Sequence, residues 1–251
     1  MTSLFTKILR QAFKTFDKSN TASLSANLKI LYQLTEQLTY RDINISPEIF
    51  THANSAEKAP CTYIHVFQSA EVSMSVFILK ANYTMPLHDH PMMNGILKGI
   101  YGNLLIKSYT AKVNNAESER KSNNLLYDKL ATKIEVSAEE PRLVTPESEC
   151  AVLTPIERNF HEITAVGDVA AFFDILSPPY DTDIPIYGRR KCHFYHRVSI
   201  DDGERIMLHR MIPDPVDYYC DTAEAPEAVV ESQNTYLEVY GLSGSPGSSS
   251  P

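Results

Sequence analysis

The sequence lacks any run that approaches the roughly 18 consecutive apolar residues needed to cross a membrane as a helix, so we expect no transmembrane segment. It also lacks a basic excess. Its 23 Lys and Arg stand against 31 Asp and Glu, and the net charge of −8 argues against a nucleic-acid-binding surface. The N-terminus has no continuous apolar core followed by small residues, so we expect no secretory signal.

Cysteine is sparse as well, and no two cysteines form the C-x-x-C pair that is typical of zinc and redox sites. The four positions are Cys61, Cys150, Cys192 and Cys220. An even count permits two disulfides, but scattered cysteines in a chain of 251 residues favour free thiols in a reducing compartment. We therefore expect a cytoplasmic protein.

The N-terminal part of the chain has a helical pattern. Residues 1–18 place apolar side chains at the i, i+3, i+4 spacing of an amphipathic helix, with basic side chains between them. The wide aromatic stripe favours a helix packed on the domain, although a basic helix at this place also resembles a mitochondrial presequence. A second helix is predicted over 25–38. Residues 1–45 are thus expected to form helices that pack on the remainder.

After Pro47 the pattern changes to the period of two that is typical of strands. Strands are predicted over 61–67, 72–79, 131–136, 150–154, 161–166, 169–176, 192–200 and 206–211. Residues 95–109 are predicted to form a turn, at 99–102, followed by a strand. Many short strands without helices between them indicate a mainly β sandwich or barrel over residues 46–240. Residues 111–128 are polar and predict a surface loop, and the Ser/Gly/Pro-rich residues 241–251 predict a disordered tail.

Two histidines at i and i+2, His88 and His90, stand between Pro86 and Pro91. The prolines disfavour a helix. On an extended chain both imidazoles would leave one face, with Cα atoms roughly 7 Å apart, close enough to bind one metal ion. Composition alone produces such a pair in about one comparable chain in four. A third ligand is therefore needed before the two histidines indicate a metal site.

His161, at the start of a later predicted strand, is the best third ligand. Such a trio is the metal pattern of cupin barrels, which usually add a Glu four or five residues after the second His. Here those positions hold Asn94 and Gly95, and Asp89 would project away from its neighbours. A neutral three-histidine site keeps the full charge of the metal and favours an anionic ligand such as a thiolate. Zinc with three histidines and a water is the chemical alternative.

Four segments between residues 80 and 200 carry a family resemblance. They are the segment 88–92 with 97–102 and 106–109, Asn159-Phe160-His161-Glu162-Ile163, Asp174-Ile175-Leu176-Ser177-Pro178-Pro179-Tyr180, and Arg189-Arg190-Lys191-Cys192-His193-Phe194-Tyr195. Their order and content resemble the non-haem iron thiol dioxygenases, the group of cysteamine dioxygenase and the plant cysteine oxidases. The resemblance implies a cupin-type double-stranded β-helix, or jelly-roll barrel, preceded by α-helices.

The resemblance also implies a chemistry. Fe(II) would be held by His88, His90 and His161, and O₂ would be added to cysteamine or to a protein N-terminal cysteine to give a sulfinic acid, with an oxygen-sensing role. Asp174 and Tyr180 would be catalytic pocket residues and would bind substrate together with Cys192. For Asp174 the alternative is a strand-end carboxylate that faces water.

One position departs from the family. Some members have Tyr two residues after the cysteine of the last signature, where a Cys–Tyr cross-link forms, but this chain has Phe194. Tyr195 would lie on the opposite strand face, so we expect Cys192 to be a buried free thiol. The competing function is a non-catalytic, metal-binding cupin that acts as a sensor or binding module. In either case we expect a monomer without nucleic-acid or membrane partners.

Overall fold

The computed structural model describes residues 3–17, 23–112, 132–185, 188–200, 205–227 and 229. It begins with helices α1 (Leu4–Phe16) and α2 (Leu24–Thr35), a 3₁₀ turn (Tyr40–Ile43) and the short helix α3 (Glu48–Ala53). The first two agree with the predicted helices within three residues at each end. The strands begin after Ala53 and not directly after Pro47. Pro47 starts the short helix α3, which was not predicted from the sequence.

Helix α1 illustrates why the first residues are helical. The Ser3 hydroxyl accepts a hydrogen bond from the Thr6 backbone N–H at 3.1 Å and caps the helix. Its apolar stripe is buried against α2 and against the outer face of a sheet. The buried members are Phe5, Ile8, Leu9, Ala12 and Phe16. The helix is therefore part of the folded core.

The remaining described chain is mostly strand. The strands are β1 (Cys61–Gln68), β2 (Ser73–Leu79), β3 (Thr84–Asp89), β4 (Asn94–Tyr101), β5 (Leu104–Ala111), β6 (Lys133–Ala138), β7 (Arg142–Val144), β8 (Ala151–Leu153), β9 (Phe160–Ala165), β10 (Ala170–Ser177), β11 (Asp183–Ile184), β12 (Gly188–Arg189), β13 (Tyr195–Ile200), β14 (Arg205–Arg210) and β15 (Cys220–Ala223). The short strands β7, β11, β12 and β15 were not predicted, because two to four residues carry too little periodicity.

Two sheets face each other. One has the strand order β15-β1-β2-β10-β4-β8, and the other has the order β13-β14-β6-β5-β9-β3, with β7 beside β5. The turn between β4 and β5 needs Gly102, at φ 63°, because a Cβ there would lie 2.3 Å from the Val169 carbonyl oxygen. The prediction of a mainly β jelly roll with N-terminal helices is confirmed.

Strand β10 shows how the two layers are built. All eight of its residues are buried, because helices cover one face and the opposite sheet covers the other. Phe173 and Ile175 pack with the helices, whereas Ala170 and Phe172 pack inside the barrel. By this alternation Asp174 points into the barrel interior.

Several predictions fall wholly or partly outside the described residues, including the ends of the helix predicted over 1–18. The tail over 241–251 lies entirely outside them, and so does nearly all of the loop over 111–128, whose first residue ends β5. The strand predicted over 131–136 is observed from Lys133 to Ala138. The strand predicted over 192–200 begins only at Tyr195, since the three residues before it serve the site described next.

Candidate metal centre

The two strands that carry the histidines are paired. His88 lies in β3 and His90 directly follows it, while His161 is the second residue of β9. In the antiparallel register His88 stands opposite His161, and the backbone N–H of His90 donates to the Asn159 carbonyl at 3.0 Å. The extended backbone predicted for the His-x-His segment is present, and it brings both imidazoles to the side of His161.

The three rings form a compact cluster. One nitrogen from each of them lies within 4.8 Å of the others, and the Nε2 atoms of His90 and His161 are 3.0 Å apart. The side chains are nearly closed to solvent, with relative exposures of 7% for His88, 2% for His90 and 8% for His161. Within the described part of the chain, this is the one group of three or more His, Cys, Asp or Glu side chains close enough to hold a metal ion.

Hydrogen bonds from the other ring nitrogen orient two of the imidazoles. Nδ1 of His88 lies 2.8 Å from the Pro86 carbonyl oxygen, to which it donates. The Tyr180 hydroxyl donates to the Asp89 carbonyl at 2.6 Å and accepts from Nδ1 of His90 at 2.9 Å. Both arrangements leave Nε2 with a lone pair, as a metal ligand requires.

Electrostatics keep the rings neutral. Burial lowers the pKa of His88, His90 and His161, and for His90 the neighbouring imidazoles lower the pKa further. Bonds of about 2.1 Å from two nitrogens to one ion at a right angle separate the nitrogens by about 3 Å, as observed between His90 and His161. The donor set therefore fits a divalent transition-metal ion.

Asp89 is buried and is not a ligand. Its carboxylate accepts hydrogen bonds from the His193 backbone N–H at 2.8 Å and from the Tyr195 hydroxyl at 2.9 Å. The Asp89 side chain projects away from the histidines, as expected from the sequence. These hydrogen bonds hold the histidine strand against the segment 193–195. The sequence did not predict them, because the partners lie more than 100 positions from Asp89 in the chain.

Two further residues that sequence reasoning missed hold the histidine turn. The Asn159 side-chain amide donates to the His90 carbonyl at 2.7 Å and to the Thr154 carbonyl at 2.9 Å. The buried Arg190 guanidinium donates to the Pro91 carbonyl. Both residues lie within the segments that resemble the thiol dioxygenase family, and this resemblance could have indicated that they are functional. Only the tertiary structure shows which backbone groups they bind.

A cavity of about 330 Å³ contains His161 and Asp174. Its other lining residues are Gly95, Leu97, Ile106, Ser108, Glu139, Glu140, Arg142, Ala151, Val152, Leu153 and Arg158. Asp174 is only 9% exposed, so the alternative of a carboxylate facing water is wrong. Burial raises the pKa of this carboxyl to about 7, against a smaller opposing effect of the Ile175 backbone hydrogen bond.

Tyr180 contacts His90 through its hydroxyl, and Cys192 lies close to Tyr180. Burial raises the pKa of the Cys192 thiol, so it stays protonated. Cys192 is a free thiol as expected, although the residue is partly exposed and not fully buried. Neither residue lines the cavity. Phe194 pairs with His88 across an isolated bridge, whereas Tyr195 packs on Phe160, so the two side chains leave opposite faces as the strand alternation predicts.

Together these features define a class: a two-sheet β protein with a buried, neutral three-imidazole metal centre and a buried carboxyl in the adjoining cavity. The PCO_ADO family model matches residues 34–237, and the chain belongs to this family. The resemblance inferred from the sequence segments is confirmed.

Named relatives support this membership. A 2-aminoethanethiol dioxygenase of Mus musculus is 35% identical over 90% of this chain and 96% of its own length. Plant cysteine oxidase 2 of Arabidopsis thaliana is 24% identical over 71% of this chain and 60% of its own. A cupin superfamily protein of Desulfitobacterium hafniense is 11% identical to this chain. The match covers 50% of this chain and 84% of that protein, with a TM-score of 0.33.

Among the described residues no helix is long and apolar enough to span a membrane.

Proposed function

We propose that this protein is an Fe(II)-dependent thiol dioxygenase that adds both atoms of O₂ to the thiol of an aminothiol, so that R–SH and O₂ become R–SO₂H. The observation that carries this proposal is the buried trio of neutral histidines without a carboxylate ligand, one of which, His161, shares a cavity with the buried acid Asp174. The membership of the thiol dioxygenase family supports it.

His88, His90 and His161 would hold the metal ion, which supplies a redox-active centre for thiol and O₂ when it is bound. Imidazole suits iron and zinc alike. We favour iron because the oxidation of a thiol by O₂ needs a redox-active metal, and zinc is not redox-active. Burial keeps the three ligands neutral. Hydrogen bonds to the Pro86 carbonyl and to the Tyr180 hydroxyl fix the orientations of the His88 and His90 rings. Such support of ligating histidines typically contributes a factor of about 10–100 in metal affinity.

Asp174 selects the amine of the substrate. Burial raises the pKa of its carboxyl to about 7. The two arginines that line the cavity, Arg142 and Arg158, pair with Glu149 and Glu139 instead of Asp174. A substrate ammonium that enters the cavity supplies the missing positive charge and stabilises the ionised carboxylate. An aminothiol bound in this way presents its thiol toward His161, which lines the same cavity.

We propose that both cysteamine and a protein N-terminal cysteine are accepted. Cysteamine has four non-hydrogen atoms, and 330 Å³ holds the equivalent of roughly ten water molecules at about 30 Å³ each. The remaining volume admits the peptide that follows an N-terminal cysteine. An oxygen-sensing role follows if the turnover rate rises in proportion to O₂ over its physiological range.

The test is oxygen uptake by iron-loaded protein with cysteamine, a Cys-initiated peptide and the same peptide with an acetylated N-terminus. We expect uptake and a gain of two oxygen atoms in the first two products, and little in the third, which has no ammonium for Asp174. Iron-loaded protein that takes up no oxygen with either amine would refute the proposal and favour the non-catalytic binding module. Repeating the comparison at limiting O₂ measures which substrate is preferred.

We also propose, from the sequence alone, that the protein is cytoplasmic and monomeric. Light scattering of the eluting protein during size-exclusion chromatography measures the mass, for which a value near 28.2 kDa is expected. Imaging of the tagged full chain tests the location. Mitochondrial fluorescence would instead support the presequence interpretation of residues 1–18.

A further inference from the structure

Two thiols lie side by side away from the histidines. Strands β1 and β15 pair in parallel, and Cys61 stands directly opposite Cys220 in their register. Neighbouring strands are roughly 4.8 Å apart, within the Cα separations of about 4.4–6.8 Å that disulfides span. The two thiols are close enough for each to shift the pKa of the other, and both cysteines are free.

The two cysteines have different environments. Cys61 is fully buried, whereas Cys220 is partly exposed at the edge strand. The neighbouring Cys61 thiol lowers the pKa of the Cys220 thiol, and the contact with the Tyr218 hydroxyl, 3.7 Å from the Cys220 sulfur, acts in the same direction. The accessible cysteine is therefore the better nucleophile and the buried cysteine is placed to resolve.

We propose that Cys220 and Cys61 form a modification site, a dithiol that is converted to a disulfide by exchange with low-molecular-weight disulfides. The Cys220 thiolate attacks one sulfur of RS–SR, forms a mixed disulfide and releases RS⁻. The released RS⁻ takes the proton of the buried Cys61 thiol, and the Cys61 sulfur attacks the Cys220 sulfur, which releases the second RS⁻. Both leaving thiolates are protonated, so the net reaction converts two protein thiols and RS–SR into the internal disulfide and two RSH.

The cross-link would fasten an edge strand. Strand β15 pairs with β1 through four residues only, and the Asp221 carboxylate adds one hydrogen bond from the Ala59 N–H at 3.0 Å. Short edge strands open locally at low cost. A disulfide at the first pair suppresses this opening, so we expect amide exchange over residues 220–223 to slow by roughly tenfold.

The experiment treats the reduced, folded protein with oxidised glutathione over a range of ratios to reduced glutathione. Free thiols are then alkylated under denaturing conditions and the peptides are mapped by mass spectrometry. We expect loss of two hydrogens and one linked peptide pair that contains Cys61 and Cys220, while Cys150 and Cys192 are alkylated. Hydrogen exchange of the same samples gives the second readout.

Matched variants separate the two steps. Cys61→Ser should stop at the mixed disulfide on Cys220, Cys220→Ser should remain unmodified, and Cys150→Ser should behave like the wild type. The proposal is overturned if the wild type accumulates the mixed disulfide without resolving it, links a different pair, or stays fully reduced at every glutathione ratio. Unchanged exchange in β15 after cross-linking would overturn the fastening of the strand.

Discussion

Replacing Asp174 by Asn should stabilise the metal-free protein at high pH while it impairs catalysis. The carboxyl is 9% exposed inside the barrel, and burial is the main cause that raises its pKa from 3.8 to about 7. An amide of nearly the same shape is neutral at every pH and avoids the cost of burying a charge. A residue retained against stability in this way is typical of a functional site.

The size of the effect follows from proton linkage. Between the two pKa values the folded protein holds a proton that the unfolded chain has released, so the unfolding free energy falls as the pH rises. A shift of about three units at about 1.4 kcal/mol each gives about 4 kcal/mol, absent below pH 4 and complete above pH 7. Relative to wild type, Asp174→Asn should therefore gain about 2.5 kcal/mol between pH 5 and pH 8.

The assay is urea unfolding of chelator-treated protein followed by circular dichroism at both pH values, since the chain has no tryptophan to report fluorescence. Asp183→Asn, an exposed acid in β11, is the matched control and should follow wild type. With iron restored, Asp174→Asn should lose about 10- to 150-fold in kcat/KM for cysteamine, the value of a hydrogen bond to a charged group. Parallel pH profiles of the variant and wild type would refute the burial argument.

Three further predictions test the centre and its support. His161→Ala should lose bound iron and turnover, because two ligands hold the ion weakly, while the exposed His52→Ala keeps both; normal iron content by metal analysis would show that the third ligand is wrong. Tyr180→Phe should weaken metal affinity by about 10–100-fold in a competition titration, and an unchanged affinity would remove the orienting role of the hydroxyl. Leu9→Ala in α1 should lower the unfolding free energy by about 2–5 kcal/mol and the exposed Lys14→Ala by little; equal stabilities would contradict a helix packed on the barrel.

Local patterns predicted most of the fold correctly. The apolar stripe of α1, the alternation in β2 and the prolines around the His-x-His segment are short-range signals, so the sequence carries them in full. The errors have local causes too. Helix α3 is a six-residue helix, shorter than periodicity can detect. The segment before Tyr195 was predicted as strand, but it makes only isolated contacts with β3, namely one backbone bridge between Phe194 and His88 and hydrogen bonds between His193 and Asp89.

The candidate site was predictable in its ligands and not in its environment. The histidines are identifiable because their residue type and spacing are chemical constraints. Their support comes from Asp89 and Tyr180, whose contacts span 90 or more positions of the chain. Such contacts leave no periodic trace, and only the folded chain displays them.

By itself, the sequence determined that this protein is a mainly β chain with N-terminal helices and a metal centre without a carboxylate ligand, because residue identity and spacing set those properties. The tertiary structure alone decided that Asp174 is desolvated inside the barrel and shares a cavity with His161. It alone placed Cys61 opposite Cys220. Burial and register are properties of packed surfaces, and packing joins segments whose separation along the chain hides their proximity.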